Sequence, residues 1–374
     1  MNALEWRAVA ALGLVYALRM IGMFMVLPVF ALYARDLPGG ASHLQVGLAV
    51  GIYGLTQALL QIPFGMASDR FGRKPVIFVG LAVFALGSVV AGHADSIDGV
   101  IAGRLLQGAG AVSSAVAALL ADVTREQVRT TAMALLGAGM GLAFILALVL
   151  GPVVSLWIGV DGIFFLTAVL VMLALPVVGF GVPTPQRPVA RAGGFGLALR
   201  NPQLLRLNFG IFLLHATMIG LFVAAPVALL DTLELGSTEQ WKVYVPVLLL
   251  SVLPVFPVIR WAEARGRTRL AYRGAIGLLA VAMVIAALGH AHGPWLLLAM
   301  LLFFIPFNYL EGALPSMISR RAPAESRGAA LGVYATAQFL GAFAGGSVVG
   351  LAHGYLGLGG AFAACAAMPI IWCL

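Results

Sequence analysis

Apolar residues run along this chain in long blocks, and polar residues gather in short clusters between them. A block of ~20 apolar residues is long enough to cross a bilayer as a helix. The blocks predict twelve such helices, at about 8–34, 44–67, 75–93, 97–121, 129–157, 160–181, 204–230, 239–261, 269–289, 294–318, 327–353 and 357–374. One connection departs from the pattern. The stretch from Val182 to Pro202 holds Pro183, Pro185, Pro188 and Pro202 together with Arg187, Arg191 and Arg200. Proline at that density and a lack of apolar periodicity mark a linker. The expected fold is an all-α membrane protein of twelve transmembrane helices. It divides into a six-helix bundle at 1–181, a linker at 182–203 and a second six-helix bundle at 204–374.

Composition narrows the class. The chain is 61% hydrophobic and 10% charged, with a mean hydropathy of +1.03, which excludes an ordinary soluble domain. The first apolar run, Ala8 to Tyr33, is too long for the core of a cleaved signal peptide and is expected to stay as a span. A net charge of +8 is explained by the flanks of membrane spans and not by nucleic acid. All but four of the 22 Lys and Arg fall on one side of the predicted bundle, the exceptions being Arg19, Arg35, Arg104 and Lys242. Basic residues collect on the cytoplasmic side, so both termini and the linker are expected there, which requires an even number of spans. Cys365 and Cys373 share one predicted helix and stand ~12 Å apart along its axis, too far for a mutual disulfide. Metal-ligand clusters, cofactor motifs and nucleotide-binding motifs are not found.

The densest polar run in the first half is Gly65 to Pro75, which places Asp69, Arg70, Arg73 and Lys74 between two apolar blocks. Gly65 permits close approach of a neighbouring helix, Gly72 suits a tight turn and Pro75 fits the first turn of the next helix. A plain anchoring loop would need the bases alone. The second half carries a degraded copy: Glu263, Gly266 and Arg267 echo Asp69, Gly72 and Arg73, and Glu325 to Arg327 echoes Glu126 to Arg129. Such parallel halves place a transported substrate at their interface near the bilayer midplane.

Charges at membrane depth are expensive and mark candidates for function. Arg104 begins Arg-Leu-Leu-Gln107-Gly; it either faces a cavity or braces helices through their carbonyls. Glu311 shares one helix face with Phe304, Phe307 and Asn308, where a carboxylate partly withdrawn from water suits proton exchange; a static cross-helix hydrogen bond is the alternative. Arg19 is a third intramembrane charge with no evident partner. His215 can titrate near neutral pH or serve as a neutral donor. Tyr53, Gln57, Gln61 and Gly65 recur every fourth residue, and Tyr334 and Gln338 repeat that spacing; either stripe lines a cavity or bonds helices together.

The run Gly65-x-x-x-Asp69-Arg70-x-Gly72-Arg73-Lys74-Pro75 resembles the loop signature of the major facilitator superfamily, and Arg104-x-x-Gln107-Gly resembles its fourth-helix motif. The runs Arg19 to Pro28, Tyr309 to Ser319 and Gly332 to Gly341 are similar to the YajR group of bacterial inner-membrane transporters. The resemblance implies proton-driven, drug-efflux-like antiport by a monomer with protons and a small-molecule substrate as partners. It implies that Arg104 is linked to coupling, that Arg73 pairs with Asp122, and that Asp69 meets the start of the eleventh helix near Gly328, forming a latch between halves with Gly65, Arg70 and Gly72. Some members carry a small soluble domain after the twelfth helix. The drug antiporters' fifth-helix motif is matched only at Gly151-Pro152; the upstream glycines are out of register.

These observations favour an inner-membrane exporter of amphipathic small molecules in exchange for protons, with Arg104, Glu311, Arg19 and His215 as coupling candidates. The rival is a transporter of a specific metabolite such as a sugar or organic anion, which the arginines would serve. An enzyme is disfavoured by the lack of a nucleophile–base set, and a channel by the lack of a filter loop. A sensor on this scaffold would tolerate loss of Glu311.

Overall fold

The computed structural model describes residues 1–184, 200–323 and 327–374. Among these residues ten helices are long and apolar enough to cross a membrane. The expected linker residues Pro185, Arg187, Pro188 and Arg191, and the echo at Glu325, lie outside the described residues.

Helix starts follow capping chemistry. Asn2 and Glu5 form a reciprocal capping box on α1 (Ala3–Met25), and Ser42 and Gln45 do the same on α3 (His43–Phe71). Each pair satisfies backbone donors that have no partner within the helix. Several predicted spans are broken in the middle. The first divides at Val26 into α1 and α2 (Leu27–Asp36), where Pro28 cannot donate to the preceding turn. After α4 (Arg73–Gly92), the fourth span divides at Gly110 into α5 (Ile97–Ala109) and α6 (Ser113–Val123).

The next helix, α7 (Glu126–Pro176), continues through a π turn at Val177–Gly181. Its 56-residue apolar stretch covers two predicted spans. Gly159 lies within it at φ 69° and ψ 179°, a conformation that is essentially confined to glycine. The chain reverses there. Thr167 donates to the Gly22 carbonyl at 2.9 Å, and Gly151 lies against the Met25 carbonyl. Sixteen residues of straight helix cover ~24 Å, yet Gly151 and Thr167 meet positions one turn apart on α1.

The second half repeats this device. It comprises α8 (Pro202–Leu233), α9 (Trp241–Val252), α10 (Val255–Ala264), α11 (Thr268–Gly289), α12 (Gly293–Arg321) and α13 (Arg327–Cys373). Within α13, Gly357 adopts φ 67° and ψ −167°, and Val349 and Cys365 on either side of it both pack against Gly220 of α8. The turning glycines are 198 positions apart, as are Gly22 and Gly220, Gly151 and Val349, and Thr167 and Cys365. Dividing α7 and α13 at these glycines separates the ten apolar helices into twelve stretches, the last of which, 358–373, is the shortest. The short polar loop echo also holds in backbone form, since Gly72 and Gly266 both have positive φ, 95° and 63°.

The halves meet closely along α3 and α13. Gly47 and Gly346 lie so near that a side chain on either would strike the other's carbonyl, and Gly51 and Gly54 face Ala342 and Phe339 in the same way. Small residues let membrane helices approach to backbone contact. This seam occupies the end of α3 that lies away from both chain termini.

Candidate transport site

Each half holds a buried polar cluster, and the two sit at related positions: Ser113 and Glu311 are again 198 residues apart. In the first half Arg19 is 1% exposed. Its Nη2 donates to Tyr53 Oη at 2.8 Å, Gln57 Oε1 at 2.9 Å and the Gly110 carbonyl at 3.2 Å, and its Nη1 donates to Ser113 Oγ at 3.4 Å. The helix break at Gly110 takes that carbonyl out of the regular ladder, and it accepts from the Val112 N–H at 2.9 Å as well as from the guanidinium. Tyr53, Gln57 and Gln61 continue the chain, with Tyr53 Oη donating to Gln57 at 3.2 Å and Gln57 Nε2 donating to Gln61 at 3.0 Å. No carboxylate pairs with Arg19 among the described residues.

Arg104 is buried and braces helices. Its Nε donates to the Ala49 carbonyl and its Nη2 to the Val50 carbonyl, both at 3.2 Å, and its Nη1 donates to Gln107 Oε1 at 3.0 Å. Gln107 passes the link to Ser88 at 2.8 Å. In this state two Arg104 nitrogens serve the α3 backbone and the third serves Gln107 on its own helix, a bracing arrangement.

The second-half cluster joins three helices. Gln338 of α13 uses one amide group twice: its Nε2 lies 2.8 Å from His215 Nε2 on α8 and 3.3 Å from Glu311 Oε1 on α12. An amide carries two hydrogens, so one group can serve both neighbours. The His215 Nε2 stands 3.8 Å from Glu311 Oε2, which has no hydrogen-bond donor. The Glu311 side chain is 34% exposed, against 7% for His215. A mid-span carboxylate with a buried oxygen that no donor satisfies is exceptional, because charge there is costly. Tyr334 stands one turn before Gln338 with its buried hydroxyl unpartnered.

Aromatic rings connect the clusters across the interface. Phe307 is 6.1 Å from the His215 ring and 5.8 Å from Phe144, which in turn meets Phe24 edge-on at 4.8 Å. Asn308 turns the other way and donates to Ser251 at 2.9 Å. The two polar stripes are thus packed in this state: Tyr53, Gln57, Gln61, Gln107, Phe307 and Tyr334 are all buried, while Asn308 and Gln338 keep partial exposure. Sequence reasoning missed Ser88, Ser113, Ser251, Phe24 and Phe144. A lone serine or phenylalanine gives no signal in a membrane helix.

The loop cluster is ordered around Arg73. Its Nε donates to Asp122 Oδ2 at 2.9 Å, and its Nη1 meets Asp69 Oδ1 at 2.5 Å and Ser68 Oγ at 2.7 Å. Gly65 faces Ser114, the neighbouring helix its bareness anticipates, and Arg70 lies over the Phe71 ring at 5.3 Å. The expectation that the Arg73–Asp122 pair crosses between halves is corrected: it joins α4 to α6, both in the first half. Asp69 is spent on Arg73, and the expected meeting with the start of α13 near Gly328 adjoins Ala324–Ser326, outside the described residues.

A helical membrane bundle of two repeated halves, each holding a buried polar cluster, is the architecture of a transporter. The chain belongs to the Major Facilitator Superfamily, which it matches over residues 12–346, and it is a secondary transporter embedded in a membrane. It is 44% identical to the inner membrane transport protein YajR of Escherichia coli over 98% of this chain and 82% of that protein. It is 26% identical to the multidrug resistance protein MdtH of Proteus mirabilis over 83% of this chain and 78% of that one. The solved structure of a bacterial homolog of the human lysosomal transporter Spinster, inward-facing and occupied, shares its fold with a TM-score of 0.78 at 16% identity, covering 100% of this chain and 95% of that one.

Proposed function

We propose that this protein is a proton-coupled exporter of small amphipathic compounds, a monomer in a bacterial inner membrane with both termini cytoplasmic. It works by alternating access between its two bundles, residues 1–181 and 204–374. The observation that carries the reading is Glu311, a mid-span carboxylate with one oxygen held by Gln338 and the other buried without a donor. That free oxygen is the seat for a proton. Gln338 holds the carboxylate while it is charged, and His215 stands ready to donate to it if the ring gains a proton. Phe307, Phe144 and Phe24 supply an apolar wall beside this charge, which suits a compound with a flat apolar body and a cationic or polar group. Arg73, Asp69 and Asp122 fix the loop after α3 within the first half, so that α3, α4 and α6 move as one body. The kinship with a multidrug resistance protein supports the substrate class. The basic loops on the side of the termini support the orientation.

A second reading has its own observation. Arg19 and Arg104 are buried without a carboxylate partner among the described residues, and an anionic metabolite would balance them.

Proteoliposomes with an acid interior and an internal pH dye separate these. Adding cationic or neutral amphipathic compounds outside should raise the internal pH with the native protein and leave it unchanged with Glu311→Gln. A response that survives in Glu311→Gln moves the proton site elsewhere. A response to organic anions alone selects the second reading.

A further inference from the structure

The seam between α3 and α13 ends in a feature that neither cluster uses. His43 opens α3 and His353 lies near the turn in α13, and their rings stack at 3.8 Å between centroids and 24° between planes. They belong to different halves. Gly354, beside His353, also faces the His43 side chain, and the Gly350 position touches the His43 carbonyl. The backbone contacts at Gly47 and Gly346 continue directly inward from the pair. His43 is exposed at its helix start and reachable by water, while His353 is 7% exposed. No metal-binding group of three or more such side chains forms there among the described residues.

We propose that the stacked His43–His353 pair is a proton-sensitive clasp that holds the two halves closed at the end away from the termini. Neutral imidazoles stack as aromatic plates and cover the seam. Histidine changes charge between about pH 5 and 8, and two imidazolium ions at this separation repel strongly. Burial of the His353 ring is the main resistance to a proton there; His43 and Arg35 at the end of α2 add to it, and Asp231 near the end of α8 opposes it. Directly inward of the pair, at Gly47, Gly51 and Gly54, the seam's contacts are backbone against backbone. Acid on that face therefore shifts the population toward the state open to it. The inference is independent of where coupling protons bind, and the clasp sits far along the helices from Glu311.

The test is the distance between α3 and α13 by paired spin labels at Leu44→Cys and Leu351→Cys, with Cys365→Ala and Cys373→Ser. A Glu311→Gln background removes any response from the transport site. In nanodiscs at equal pH on both faces, moving from about pH 7.5 to about pH 4, where the buried ring also gains its proton, should raise the ratio of long to short distances roughly tenfold, the size expected of a coupled switch. The variant His43→Phe/His353→Phe keeps stacked rings without the charge. It should show the short distance at both pH values. His43→Phe alone, altered at the exposed ring, serves as a second variant that breaks the charge pair without touching the buried position. An acid response retained in either variant overturns the proposal, as does a native distance that does not change with pH.

Discussion

Arg19 shows how much a single side chain carries in this bundle. One guanidinium reaches two residues of α3, the carbonyl at the Gly110 break, and Ser113 beyond the break. Lysine would keep the charge but has three rotating donors in place of a planar fork. Arg19→Lys is therefore expected to lose about 2 kcal/mol of stability, since hydrogen bonds to a charged group contribute roughly 1.5–3 kcal/mol each and only some can be rebuilt. Thermal unfolding in detergent reads this as a clear fall in Tm; an unchanged Tm would mean the network is not structural. The intramembrane charges Arg19, Arg104 and Glu311 were legible in the sequence because an apolar background makes them conspicuous. Their partners were not. That Arg104 meets the Ala49 and Val50 carbonyls, or that Glu311 shares Gln338 with His215, depends on which helices face each other, and composition along one helix does not encode that.

At the scale of elements, the chain folds into more pieces than hydropathy shows and fewer connections than twelve helices suggest. Three predicted spans are split, at Val26, Gly110 and Leu253–Pro254, and each split has a nearby proline or glycine that could have announced it. The reversals at Gly159 and Gly357 were legible as narrow gaps between apolar runs, but not as single-residue turns. Both glycines lie in open space, so any penalty for a side chain there is conformational. Gly159→Ala and Gly357→Ala should each cost about 1–3 kcal/mol. Gly137→Ala, also in open space but at a helical φ, should be neutral or slightly stabilising by comparison. Equal unfolding temperatures for all three variants would show that the turns carry no strain.

At the scale of the molecule, the two halves must part at the α3–α13 seam if transport proceeds by alternating access, because that seam closes one end of the interface. A side chain placed on Gly354 would put its Cβ 4.0 Å from the His43 Cβ, within the usual Cβ separation of about 3.5–4.5 Å for a disulfide. Gly354 has no positive φ, so cysteine fits there without backbone strain. His43→Cys/Gly354→Cys, with Cys365→Ala and Cys373→Ser, should therefore cross-link under mild oxidation without distorting either helix. The bond joins positions more than 300 residues apart in the chain, and it ties one half to the other at the end away from the termini. Substrate-driven flux in proteoliposomes should stop when the bond forms and return on reduction, with intact mass confirming the bond. Flux that continues at full rate through oxidised protein would mean that this end never opens, and alternating access about the seam would fail with it. The reversible block would instead establish the backbone-close packing of Gly47, Gly51 and Gly54 as one of two arrangements the interface adopts, a discrete state in which small residues on both helices make tight closure and clean separation equally accessible.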